Sequence, residues 1–116
     1  MRLRSACALV LLLSVMACTG ADRPAAVPVA TDRVNLPKSY RFTPAAITVP
    51  AGTAVAWTNS DNFTHSVRLL DDGGRTLVLK PGDSVRFTFS TPGLHRYDCS
   101  FHPHDMTGTV TVTAAP

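Results

Sequence analysis

Cys99, His102 and Met106 fall within eight residues, Cys99-Ser-Phe-His102-Pro-His-Asp-Met106, and the segment runs straight into the alternating stretch Thr107-Gly-Thr-Val-Thr-Val-Thr113. A thiolate, an imidazole and a thioether on one short loop, with His65 upstream in a second alternating segment, make a donor set that selects copper. The soft thiolate stabilises Cu(I) and couples strongly to Cu(II), imidazole suits both oxidation states, and a long thioether bond raises the potential without adding charge. Each residue alone has a plainer reading. A single cysteine is usually a small buried hydrophobe, a single methionine core filler, and His65 in Thr64-His65-Ser66-Val67 fits a solvent-facing strand position. Their company at this spacing favours the metal.

Such donors need rigid elements to hold them, and the punctuation from Ser39 onward is that of β-structure. Ile47 and Val49 alternate before Pro50-Ala51-Gly52, Val55 and Trp57 alternate after it, and Val85, Phe87 and Phe89 alternate between Pro81-Gly82 and Pro92-Gly93. No window carries a helical stripe, and turns recurring every 8 to 12 residues or so argue a sandwich or barrel. The expectation is seven or eight short strands, over 40–43, 45–50, 53–59, 65–70, 75–80, 84–90, 94–98 and 108–113, the first of them either a strand or only a bridge into the second. Trp57, Phe42, Phe87 and Phe89 are read as core. A domain this small has a modest margin of stability unless something staples it, and a bound metal would do so.

The chain has 116 residues, enough for one domain. Arg2 and Arg4 precede an apolar run from Ala6 to Ala17 that is broken only by Ser14. As a helix that run would reach about 18 Å, short of the ~30 Å hydrocarbon core, so it reads as a secretory signal over 1–17. Ala17-Cys18 resembles the cleavage site of bacterial lipoproteins, which predicts a lipid anchor on Cys18; the alternative is an ordinary signal cut after Ala17 or Ala21. The Ala/Pro-rich stretch from 18 to 37 is expected to be a spacer, with a first edge strand around 27–34 as the competing reading, and 38–116 is the expected copper-binding domain. Export would place the protein in the periplasm or on the outer face of a bacterial membrane.

Cysteine arithmetic agrees with this division. Of the three cysteines, Cys7 would leave with the signal and Cys18 would carry lipid, so Cys99 remains alone in the folded part. Loss of Arg2 and Arg4 would lower the formal charge from +3 to +1, and no Lys/Arg cluster points to nucleic acid.

The spaced residues Phe42, Pro44, Ile47, Val49, Gly52, Val55, Trp57 and Asn59, then His65 and Val67, Pro81-Gly82, Phe89, Pro92-Gly93, and finally Tyr97-x-Cys99-x-x-His102-Pro103-x-x-Met106-x-Gly108-x-Val110-x-Val112 together resemble the cupredoxins, the small blue copper proteins of plastocyanin, amicyanin and pseudoazurin type. The resemblance implies an all-β Greek-key sandwich with one type 1 copper ion at its end, held by His65, Cys99 and His102 with Met106 as a weak axial ligand. His104 and His95 compete for the second imidazole, but the family's Cys-x-x-His spacing selects His102. It also implies that Asn59 braces the loop leading to His65 and that the Ser66 N–H donates toward the Cys99 sulfur. Related proteins often have asparagine at the place of Ser66. Asp98 stands where plant plastocyanins carry a surface tyrosine, and only Asp71-Asp72 is similar to their acidic patch, so a plant-type partner surface is not expected.

The resulting expectation is a monomeric one-electron carrier that meets redox partner proteins, has no enzymatic activity, and exchanges electrons through the edge of His102 between Phe101 and Pro103. A copper chaperone or store of the cell envelope is the alternative; a copper enzyme would need an open coordination position or a second metal.

Overall fold

The computed structural model describes residues 27–116. The expected signal over 1–17, the expected anchor site Cys18 and the first part of the expected spacer lie outside the described residues. Within them there are nine strands and no helix: β1 (Val29–Ala30), β2 (Arg33–Leu36), β3 (Ala46–Pro50), β4 (Thr53–Asn59), β5 (His65–Leu69), β6 (Arg75–Leu79), β7 (Ser84–Phe89), β8 (Gly93–Asp98) and β9 (Thr107–Thr113). They form a six-stranded sheet in the order β1-β3-β9-β8-β5-β6 and a three-stranded sheet in the order β2-β4-β7.

The period-2 patterns seen in the sequence account for the two layers. Ile47 and Val49 on β3, Val67 and Leu69 on β5, and Val110 and Val112 on β9 face inward from the larger sheet. Val34 and Leu36 on β2, Val55 and Trp57 on β4, and Phe89 on β7 answer them from the smaller one. Alternating apolar residues with one face buried is what fixes register, since a slip by one residue would turn the whole set outward. Phe42, Trp57 and Phe89 are buried as expected, whereas Phe87 is only partly buried at the edge of the cluster.

Two expectations need correction. Residues 40–43 are not a strand: they form a turn, and the segment joins the sheet only through an isolated bridge between Asn35 and Thr43. Instead the sandwich begins inside the stretch read as a spacer, where the competing reading of an edge strand around 27–34 holds in part. From Val29 onward the chain supplies β1, parallel to β3, and β2, parallel to β4, with Val34 opposite Trp57 and Leu36 opposite Asn59. Burial of Val34 and Leu36 in the core outweighs the Pro-rich composition around them. The remaining strands stand within a residue or so of their expected limits.

Candidate metal centre

The loop from Cys99 to Met106 connects β8 to β9 and is closed by its own backbone. The Cys99 N–H donates to the Met106 carbonyl at 3.0 Å, the His102 N–H to the Cys99 carbonyl at 3.1 Å, and the Met106 N–H to the His102 carbonyl at 2.9 Å. Strand pairing fixes its two ends, because Tyr97 lies opposite Gly108 and Asp98 opposite Thr107. His65 opens β5, which runs antiparallel to β8 with Arg68 opposite Asp98 and Leu69 opposite Tyr97. Continuing that register brings Ser66 level with Ser100 and places His65 beside the loop.

One ligand atom from each of His65, Cys99 and His102 lies within 4.8 Å of the others. Cys99 Sγ is 3.9 Å from His102 Nδ1. His65 and Cys99 are fully buried, and His102 is half-buried with an edge toward solvent. Met106, at the far end of the loop, is fully buried in the same core cluster as Cys99. His104 is exposed. His95 is 8 % exposed and is engaged elsewhere: its Nδ1 is 3.1 Å from Asp72 Oδ2 and its Nε2 is 2.8 Å from the Thr91 carbonyl. Burial works against a charged His95 ring, but these two acceptors and the nearby Asp71 outweigh it and hold its pKa above the ordinary value.

The donor trio can be tested against a metal by asking what its buried polar atoms otherwise do. His65 Nδ1 is buried without any hydrogen-bond partner, while Nε2 of the same ring is 2.8 Å from Asp61 Oδ2. An unpartnered ring nitrogen in a dry interior costs of order 1–3 kcal/mol unless something coordinates it. A thiol and a second imidazole stand where that something would bind. Two imidazoles, a thiolate and a nearby thioether are the donor chemistry of type 1 copper, so the residues present fit that ion.

The surroundings of the sulfur are tightly specified. The Ser66 N–H lies 3.4 Å from Cys99 Sγ, as the resemblance implied, and the Ser66 hydroxyl is 3.8 Å from it. That hydroxyl also accepts from the Ser100 N–H at 2.8 Å and pairs with the Ser100 hydroxyl at 2.7 Å. A serine on β5 thus ties that strand to the ligand loop here. Asn59 braces the approach to His65: its Nδ2 donates to the carbonyls of Phe63 at 2.8 Å and Leu79 at 3.0 Å, and its Oδ1 accepts from the Asp61 N–H at 2.9 Å.

Two residues of the site escaped the sequence reading. Asp61 is 5 % exposed and touches His65; the hydrogen bond from His65 holds its carboxyl below the usual carboxylate range despite burial. An acid four positions before a histidine was the visible signal, but only the loop conformation gives it meaning. Tyr40 has φ +50°, in the left-handed region, and its ring stands edge-on to His102 at 4.7 Å and to His65 at 5.9 Å. Nothing local to Tyr40 announces this, since the contact is made across the sandwich end by the turn that replaced the expected strand. Phe63 stacks on the same Tyr40 ring at 6.2 Å and is exposed, as is Phe101, the residue directly before His102.

The acids weighed against a plant-type surface are engaged within the protein. Asp98 receives Nε and an Nη of Arg68 at 2.8 and 2.7 Å, and Asp71 accepts the Arg96 guanidinium at 2.8 and 3.1 Å. A groove of about 680 Å³ on the outer face of the six-stranded sheet, between Leu70, Leu94 and Thr109, includes none of the three donors.

The family model described as a cupredoxin-like domain matches residues 6–112. The chain is 33 % identical over 85 residues to a plastocyanin of Scenedesmus fuscus, covering 61 % of this chain and 85 % of that protein. It is 30 % identical over 90 residues to amicyanin-alpha of Methylorubrum extorquens, covering 73 % of this chain and 74 % of that one. Among solved structures, a purple cupredoxin from Nitrosopumilus maritimus superposes with a TM-score of 0.62 at 30 % identity, covering 70 % of this chain and 98 % of that chain. With the sandwich, the loop and the family match in agreement, the chain belongs to the cupredoxin-like family.

Proposed function

We propose that the protein is a type 1 copper electron carrier, with His65, Cys99 and His102 as the strong ligands and Met106 as the weak axial one. The single observation that carries this reading is the convergence of a buried thiol and two imidazoles within 4.8 Å, one of them with an otherwise orphaned Nδ1. A copper ion held there supplies a one-electron Cu(I)/Cu(II) couple. The protein's own part is to keep the donors still. A loop closed by three backbone hydrogen bonds and tied to β5 through Ser66 and Ser100 cannot easily reshape between the two oxidation states, and fast exchange requires that both accept nearly one geometry.

The half-buried edge of His102, framed by Tyr40, Phe63, Phe101 and Pro103, is the route for electrons. Its small aromatic rim suits brief encounters with redox partner proteins rather than a large permanent interface. Export is supported by the charged and apolar start of the chain, and anchoring by lipid at Cys18 is part of the proposal, as is a monomeric state. The same rigidity separates the carrier from a copper chaperone or store, which must release its ion.

Visible absorption and electron paramagnetic resonance of the copper-loaded protein test the reading. An intense thiolate-to-copper band that disappears in Cys99→Ser is expected. Its absence from the wild type overturns the proposal, and ready loss of copper to a competing chelator with slow electron self-exchange would favour delivery instead.

A further inference from the structure

Asp61 belongs to a five-residue connection between β4 and β5, yet its side chain is almost wholly buried and each of its oxygens has an assigned partner. Oδ1 accepts the Asn62 N–H at 2.7 Å; Oδ2 faces His65 Nε2 at 2.8 Å. The Asp61 backbone is itself held, because its N–H donates to the Asn59 side chain, which is anchored on the carbonyls of Phe63 and Leu79. A carboxylate fixed at both oxygens accepts and does not donate. The proton on the His65 ring must therefore sit on Nε2, which leaves the Nδ1 lone pair free. That Nδ1 is the buried atom for which the protein offers no hydrogen bond.

We propose that Asp61 is the positioning residue of the metal centre: its buried carboxylate fixes His65 as the Nε2–H tautomer, aims the free Nδ1 at the position shared with Cys99 and His102, and sets one negative charge behind the imidazole that lowers the reduction potential of the bound ion. The inference rests on the copper reading for its last part and on hydrogen-bond geometry alone for the first. A carboxylate behind a ligating imidazole raises the ligand's basicity, and its charge favours the more positive oxidation state of the ion. Three features separate this from a merely structural contact. The acceptor is charged rather than a backbone carbonyl, it acts on the more buried of the two imidazoles, and the Asn59 clamp fixes where it stands.

Two measurements on the full chain decide the matter. In the metal-free protein, long-range nitrogen–proton correlation of the imidazoles reports the tautomer of His65 directly; a protonated Nε2 with an unprotonated Nδ1 is expected, and the reverse overturns the proposal whatever the protein binds. In the copper-loaded protein, Asp61→Asn keeps an oxygen acceptor but removes the charge, whereas Asp61→Ala removes both. Loss of such a partner typically weakens metal binding about 10- to 100-fold, and Cu(II) should suffer more than Cu(I). A difference of about tenfold between the two corresponds to an upward shift of about 59 mV for one electron.

The expected pattern is a raised potential in both variants, with the tautomer retained in Asp61→Asn and mixed in Asp61→Ala. Potentials equal to wild type in both variants overturn the electrostatic half. A wild-type chain that shows the Nε2–H tautomer and takes up no copper overturns the proposed function together with that half, and leaves the tautomer assignment standing.

Discussion

Gly108→Ala is the substitution for which the structure gives the most definite forecast. Gly108 lies on β9 directly opposite Tyr97 of β8, and the tyrosine ring folds across it. A Cβ added at Gly108 would stand 2.5 Å from the Tyr97 hydroxyl oxygen and 2.7 Å from Cε2, with Cζ closer still. The ring cannot retreat: Phe42 meets it edge-on at 4.8 Å and Trp57 at 5.3 Å, and Tyr97 is 1 % exposed. Overpacking of a filled core costs about 1–3 kcal/mol, and rigid neighbours on both sides put this case near the upper end. For so small a domain each kcal/mol is worth about 4–8 °C in Tm, so a fall of roughly 10–20 °C is expected. Denaturation followed through Trp57, the sole tryptophan of the sequence, reads the loss. The ring is the cause only if trimming it helps: in a Tyr97→Leu background the added methyl should cost at least about 1 kcal/mol less than in the wild type. A Gly108→Ala protein within about 0.5 kcal/mol of wild type, or one whose penalty persists in that background, refutes the reasoning.

Further outcomes follow from the same contacts. Ser66→Ala removes the hydroxyl near Cys99 Sγ and leaves the Ser100 N–H without its 2.8 Å acceptor; a loss of about 1–3 kcal/mol in stability and a lower potential of the copper-loaded protein, from a more electron-rich thiolate, are expected by denaturation and voltammetry. His95 should make stability depend on pH. Its folded pKa is raised above the ordinary value of 6.5, so its contribution is complete below that pH and fades as the pH rises through the folded value; denaturation midpoints across neutral pH should fall in the wild type more than in His95→Gln. Arg68→Ala strands Asp98, 8 % exposed at its side chain, and should lower the denaturation midpoint more than Arg33→Ala, whose 3.9 Å partner Asp32 is well exposed.

Much of the sandwich was legible because its signals are local. Alternation over Ile47–Val49 and Val55–Trp57, on either side of Pro50-Ala51-Gly52, and over Val110–Val112 names strands without any knowledge of their partners. The loop ligands Cys99, His102 and Met106 were legible for the same reason, being neighbours in the chain. Where the reading failed or stayed divided, the deciding contact was distant. Val34 and Leu36 look like spacer residues until β2 pairs parallel with β4, which sets them opposite Trp57 and Asn59. Tyr40 looks like a strand residue until the turn around it carries its ring to His102. Asp61 looks like one more polar loop residue until its carboxylate meets His65 in the interior.

These distant contacts converge on one pairing. His65 and Cys99 are separated by more than thirty residues, and the alignment of β5 with β8 decides how far apart their backbones stand. That alignment has a short ladder, Arg68 opposite Asp98 and Leu69 opposite Tyr97, and two side-chain ties on one face of the sheet reinforce it. Arg68 grips Asp98 with two hydrogen bonds at the residue just before the thiol, and Ser66 grips Ser100 at the residue just after it. Cys99 is thus bracketed by two cross-strand ties, one ionic and one neutral, while Asp61 restrains the opposing imidazole from behind. A slip of one residue would reverse which face each side chain takes and would break both cross-strand ties together. The geometry of the donor trio is therefore a property of strand register, and side chains that never touch the metal position are what hold it.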